Sequence, residues 1–135
     1  MLAQRAGAIA VAVAAAMAAN TSHPFGRDFL KEVLEFVPRG VTQERLQVAL
    51  DVPSNDLTQA VRLLGSGREV SAQDTVPFCL WSASYHLGDF EEALWWTAKG
   101  MGDCDTTCAI VGGIVALSAP EIPALWVKRR EPLPV

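Results

Sequence analysis

At 135 residues, half of them hydrophobic and 19% charged, the chain is long enough for one domain with a real core and too apolar for disorder. A formal net charge of −4 with no basic stripe argues against nucleic acid as a partner. Three cysteines, Cys79, Cys104 and Cys108, without disulfide-like spacing, suit a reducing compartment and a cytoplasmic protein.

The pattern is helix after helix, which predicts a single compact all-α domain over residues 1–135. Arg5 precedes an alanine-rich run from Ala6 to Ala19, too short and alanine-rich for a membrane span. It reads either as a signal-like leader or as a tightly packed internal helix, since alanine is the best helix former and lets neighbours approach. Asn20 to Gly26 is a turn-rich break, and Phe29, Leu30, Val33, Leu34 and Val37 then recur at helical spacing up to Pro38. Thr42 is the expected cap of a helix with Leu46, Ala49 and Leu50 inward and Glu44-Arg45 outward. Pro53 to Asp56 starts another, with Leu57, Ala60, Val61 and Leu64 inward and Gly65 as its stop.

Residues 65–73 form the longest irregular stretch, a short strand or a binding loop, of which Arg68 to Gln73 could line a ligand cleft. Asp74 or Thr75 opens a helix that tolerates Pro77 in its first turn and carries Phe78, Leu80, Trp81 and Tyr85. Asp89 caps the next, with Glu92 placed to complete a capping box. Phe90, Ala93, Leu94, Thr97, Ala98 and Met101 make its inward stripe. The last clear helix has Ala109, Gly112, Gly113 and Ala116 on related faces. Interior glycines cost about 1 kcal/mol each relative to alanine, so close helix contact is expected to offset them. Lys128-Arg129-Arg130 reads as a solvated helix end.

Chemistry concentrates in Gly102-Asp103-Cys104-Asp105-Thr106-Thr107, just ahead of that glycine-bearing helix. Two carboxylates and a hydroxyl, Asp103, Asp105 and Thr106, are hard ligands suited to Mg²⁺, Ca²⁺ or Mn²⁺ rather than to thiophilic metals. The unpaired N–H groups of a helix start also favour carboxylates there, so a plain N-cap is the competing reading. The turn is not an EF-hand loop, because Cys108 and Ile114 stand where that loop needs its glycine and its glutamate. Neither Gly100-Met101-Gly102 nor Gly65-Ser66-Gly67-Arg68 completes a phosphate-binding fingerprint. Packed thiols account for the cysteines better than a zinc site, for which His23 and His86 lack ligand spacing. Of Trp95 and Trp96, adjacent on a helix, one is expected in the core and the other partly exposed.

Asp74-Thr75-Val76-Pro77-Phe78, then Asp89-Phe90-Glu91-Glu92-Ala93-Leu94, then Gly102 to Thr106 with Ala109-Ile110-Val111-Gly112-Gly113, together resemble the C-terminal half of the ADP-ribosylglycohydrolase family. These are all-α hydrolases that include dinitrogenase reductase-activating glycohydrolase. Gly7 to Ala12 resembles a mid-family helix, which favours the internal helix over a leader. The resemblance implies that Asp103, Asp105 and Thr106 form one side of a two-metal centre, usually magnesium and sometimes manganese. It implies a substrate in which ADP-ribose is joined to a protein side chain or to a smaller group, and no membrane partner.

The family's N-terminal acidic motif, glycine-rich ligand loop and histidine-bearing segment have no counterpart in these residues, and no residue matches its proposed acid or base. Residues 1–135 alone are therefore expected to hold metal weakly and to hydrolyse little, the remaining ligands coming from an N-terminal half or a homo-oligomer partner. The alternative is a non-catalytic helical interaction or structural module of the same fold, in which the two aspartates only cap a helix.

Overall fold

The computed structural model describes residues 2–135, so Met1 lies outside the description. Alanine spacing sets the first element: in α1 (Leu2–Ala18), Ala6, Ala10, Ala14 and Ala18 are buried along one face. Four-residue spacing keeps them on one side of the helix, and their small size lets α1 lie close to its neighbours. Gly7 goes further, since a methyl there would stand 2.9 Å from Ala72 Cβ. The internal-helix reading of this segment holds.

α2 (Gly26–Leu34), α3 (Val41–Ala49) and α4 (Leu57–Leu64) follow as short helices, of which α2 and α4 are strongly amphipathic. Asp56 caps α4 by accepting the Gln59 N–H at 3.0 Å, and Gly65 stops it. The α3 start differs from expectation: Gly40 occupies the cap position, and Thr42 is buried inside the first turn. Arg45 also turns inward rather than out, for a reason that belongs to the site.

α5 (Val76–Ser84) is the centre of the molecule, packed against α1, α2, α3, α4, α6 and α7. Every one of its residues is buried. A helix that is apolar all round can be enclosed on every side, and its few hydroxyls find partners. Ser82 Oγ lies 2.7 Å from Thr97 Oγ1, which donates to Ala93 O, and Ser84 Oγ donates to Trp81 O. Trp81, itself fully buried, donates its indole N–H to Val52 O at 3.2 Å.

α6 (Phe90–Lys99) and α7 (Cys104–Val115) fold back on one another across a short turn. Asp89 caps α6 by accepting the Glu92 N–H, but its own N–H donates to His86 O, so only half of the capping box forms. Met101 leaves the inward stripe, being 62% exposed with φ +60. Helix α6 has ended by then, and the helical period no longer governs where that side chain points. The glycine pair also departs from expectation. A methyl on Gly112 would reach Leu94 at 3.4 Å, ordinary contact, and Gly113 faces open space.

α8 (Ala124–Arg129) buries no residue and is held by Trp126, edge-on to Phe90 and Trp95. Lys128, Arg129 and Arg130 are solvated, as expected. No strand occurs among the described residues, and residues 65–75 are an irregular strap with one 3₁₀ turn, Ala72–Asp74. None of the described helices is long and apolar enough to cross a membrane.

Candidate functional site

The acidic turn is built by the end of α6 and the start of α7. Met101 and Gly102 both take positive φ, +60 and +72, which reverses the chain within two residues. Glycine is required at the second, because a Cβ there would run into the Ser66 carbonyl and hydroxyl. Asp103 then caps α7. Its Oδ1 accepts the Thr106 N–H at 3.4 Å and its Oδ2 accepts the Thr106 hydroxyl at 2.6 Å.

The strap is pinned beneath this turn by backbone hydrogen bonds. Asp103 N–H donates to Ser66 O at 3.1 Å, and Gly67 N–H donates to Asp74 O at 2.8 Å. Asp74, almost fully buried, accepts the Glu69 N–H at 2.9 Å and lies 3.9 Å from Arg45 Nη1. Arg45 in turn donates to Gln73 O at 2.6 Å. This is why Arg45 points inward: a buried carboxylate and an unpaired carbonyl on the strap both need a donor.

Asp103 and Thr106 stand on one wall of a cleft of about 260 Å³, with Val70, Ser71, Ala72 and Thr75 of the strap and Gln4 of α1 also lining it. The expectation that the segment from Arg68 to Gln73 lines a cleft is met by its middle residues. Ser71 carries a buried hydroxyl with no partner among the described residues, beside the acidic turn. Sequence reasoning named that stretch but not this residue, and missed Gln4 and Thr75, whose distance in sequence hides their place at the cleft. Asp105 is exposed and does not line the cleft. Residues two apart at a helix start project in different directions, so the turn brings Asp103 and Thr106 together and sets Asp105 aside.

The donors fit a hard divalent cation in kind, but fall short in number. Mg²⁺ takes about six oxygens in a near-octahedral shell, and among the described residues no three of His, Cys, Asp or Glu gather as a metal cluster. Asp103 and Thr106 are moreover satisfied by one another. The thiols behave as packed groups. Cys79, Cys104 and Cys108 donate to the carbonyls of Thr107, Ala98 and Leu94 at 3.7, 3.6 and 3.8 Å. Burial pushes the Cys79 thiol far above its usual range, and desolvation, then nearby Cys104, raises Cys108.

The remaining candidates stay away from the cleft. Trp96 is half-buried against Trp81 and His86 with Lys99 over its ring, while Trp95 is 56% exposed. His86 Nδ1 sits 2.7 Å from Ser82 O and His23 Nδ1 sits 2.9 Å from Pro24 O, so both are occupied locally.

The family model described as ADP-ribosylglycohydrolase matches residues 3–133, nearly the whole chain. The chain belongs to the ADP-ribosylglycohydrolase family. A protein of Archaeoglobus fulgidus, described only as uncharacterized, is 34% identical over 122 residues, 88% of this chain. The chain spans 39% of that relative's length. No solved structure matches. The all-α architecture agrees with membership of this family.

Proposed function

We propose that the chain is the part of an ADP-ribosyl hydrolase that supplies one wall of its divalent-metal centre, through Asp103 and Thr106 on the cleft, with Asp105 joining them from the solvent side of the turn. The substrate class is an ADP-ribosylated protein or a smaller ADP-ribosyl compound, and the metal is Mg²⁺ or Mn²⁺. The observation that carries this reading is the placing of Asp103 and Thr106 on one cleft, with Ser71 and Thr75 of the strap in its opposite wall. When bound, paired cations orient a sugar diol and lower the pKa of a water. The chain's own residues contribute position: α7 fixes the carboxylate of Asp103, and the strap closes the cleft from below.

Three ligand residues, each giving one oxygen to a metal, leave about half of an octahedral shell unfilled. Residues 1–135 alone should therefore bind Mg²⁺ weakly and hydrolyse little, with further ligands drawn from an N-terminal half or a second copy. The test is a Mg²⁺ and Mn²⁺ titration of the isotope-labelled chain by NMR, with and without ADP-ribose. Weak shifts centred on Gly102 to Thr107 are the expected result, and none there would remove the proposal. Normal turnover of an ADP-ribosylated protein by this chain would overturn the claim of weakness.

A second reading has its own support. Both Asp103 oxygens are already bonded to Thr106, as a purely capping residue would be. On that reading the chain is a non-catalytic helical module of the same fold, and the titration leaves the turn unmoved.

A further inference from the structure

A second concavity lies along the same strap, and it is basic. It has a volume of about 380 Å³ and is lined by Arg45, Arg62 and Arg68 together with Gly65, Glu69 and Asp74. It shares no lining residue with the acidic cleft. Three of the 11 basic residues of a chain with net charge −4 thus converge on one groove.

The acids in the groove do not account for them. Asp74 is matched already, by Arg45 and by the Glu69 N–H. Among the described residues neither Arg62 nor Arg68 forms an ion pair, and Glu69 forms none either. With Asp74 taken up by Arg45, Arg62 and Arg68 share the groove with one carboxylate, Glu69, that pairs with neither, and an anion in the groove offsets the remaining like-charge repulsion. The planar guanidinium fork matches the oxygens of a phosphoryl group two at a time, which a point charge does not.

We propose that this groove binds a small phosphoryl anion, gripped by Arg62 from the end of α4 and Arg68 from the strap, with Arg45 fixed at its wall. The site is independent of the metal reading, because none of its residues belongs to the acidic turn.

The test is an NMR titration of the labelled chain with inorganic phosphate and inorganic pyrophosphate, at ionic strength held constant with sodium chloride. Saturating shifts should centre on Arg62 to Glu69, with pyrophosphate binding tighter because it can span both arginines. Arg62→Ala and Arg68→Ala should each weaken binding about tenfold, as expected for loss of a charge-assisted hydrogen bond. Glu69→Gln should tighten it by removing a competing negative charge, and Asp103→Asn should leave it unchanged. Both arginines are exposed, so circular dichroism of the variants should match the parent. Shifts that chloride reproduces, that never saturate or that survive both arginine substitutions overturn the site. A phosphoserine peptide that binds more tightly than pyrophosphate overturns the assignment to a small anion.

Discussion

Asp103 carries two loads, and substitution separates them. Asparagine caps a helix about as well as aspartate, whereas alanine at a cap costs about 1 kcal/mol. Asp103→Asn should keep the thermal midpoint near the parent value and abolish the Mg²⁺-induced shifts, while Asp103→Ala loses both. A metal response that survives Asp103→Asn would remove Asp103 from the ligand set. Next to it, Gly102→Ala places a methyl against Ser66 at φ +72. That should destabilise by about 1–3 kcal/mol, read as a drop in urea midpoint. Cys79 offers a test in pH. Its thiol is fully buried and holds its proton far above the ordinary 9.0, and desolvation raises Cys108 and Tyr85 in the same direction. The unfolded chain ionises first, so the folded state's advantage is complete below about pH 9 and declines as pH rises beyond it. Urea midpoints should fall steadily in that alkaline range, and Cys79→Ala should flatten part of the slope. A flat profile in the parent would show that these thiols and Tyr85 add nothing to alkaline unfolding.

Among the elements, α7 shows where packing and propensity part company. Gly113 faces open space, so Gly113→Ala should stabilise the chain by about 1 kcal/mol through helix propensity alone. Thermal melts measure this directly, and a loss of stability would mean that something covers that face. The expectation that both glycines serve close contact failed because the period of a helix gives a residue's face but not the distance to its neighbour. Periodicity was enough for α2, α4 and α6, whose apolar stripes meet the core, and Asp56, Asp89 and Asp103 announced three helix starts by residue type. In α5 no stripe marks a face, because the helix is enclosed on every side. Periodicity failed for Arg45, whose partner Asp74 lies 29 residues away. Such a pairing depends on how the strap closes, and no local pattern encodes that. The same holds for the cleft: the acidic turn was legible, whereas Gln4, Ser71 and Thr75 reach it only through tertiary folding.

Taken whole, the molecule hangs on one central helix. Trp81 is fully buried in α5, stacked near Phe78 and hydrogen-bonded to Val52 O. Trp81→Ala should cost about 3–5 kcal/mol, a large share of the marginal stability of a domain this size. Denaturant melts should show a sharply lowered midpoint or no folded baseline, and a near-normal midpoint would displace α5 as the keystone. By contrast α8 buries no residue and rests on Phe90 and Trp95 through the indole of Trp126, while Pro120 to Ile122 lie exposed on the surface. A protease offered the intact molecule should therefore nick this connection first, shedding the tail as a soluble peptide and leaving a trimmed body with an undiminished far-ultraviolet spectrum per remaining helix.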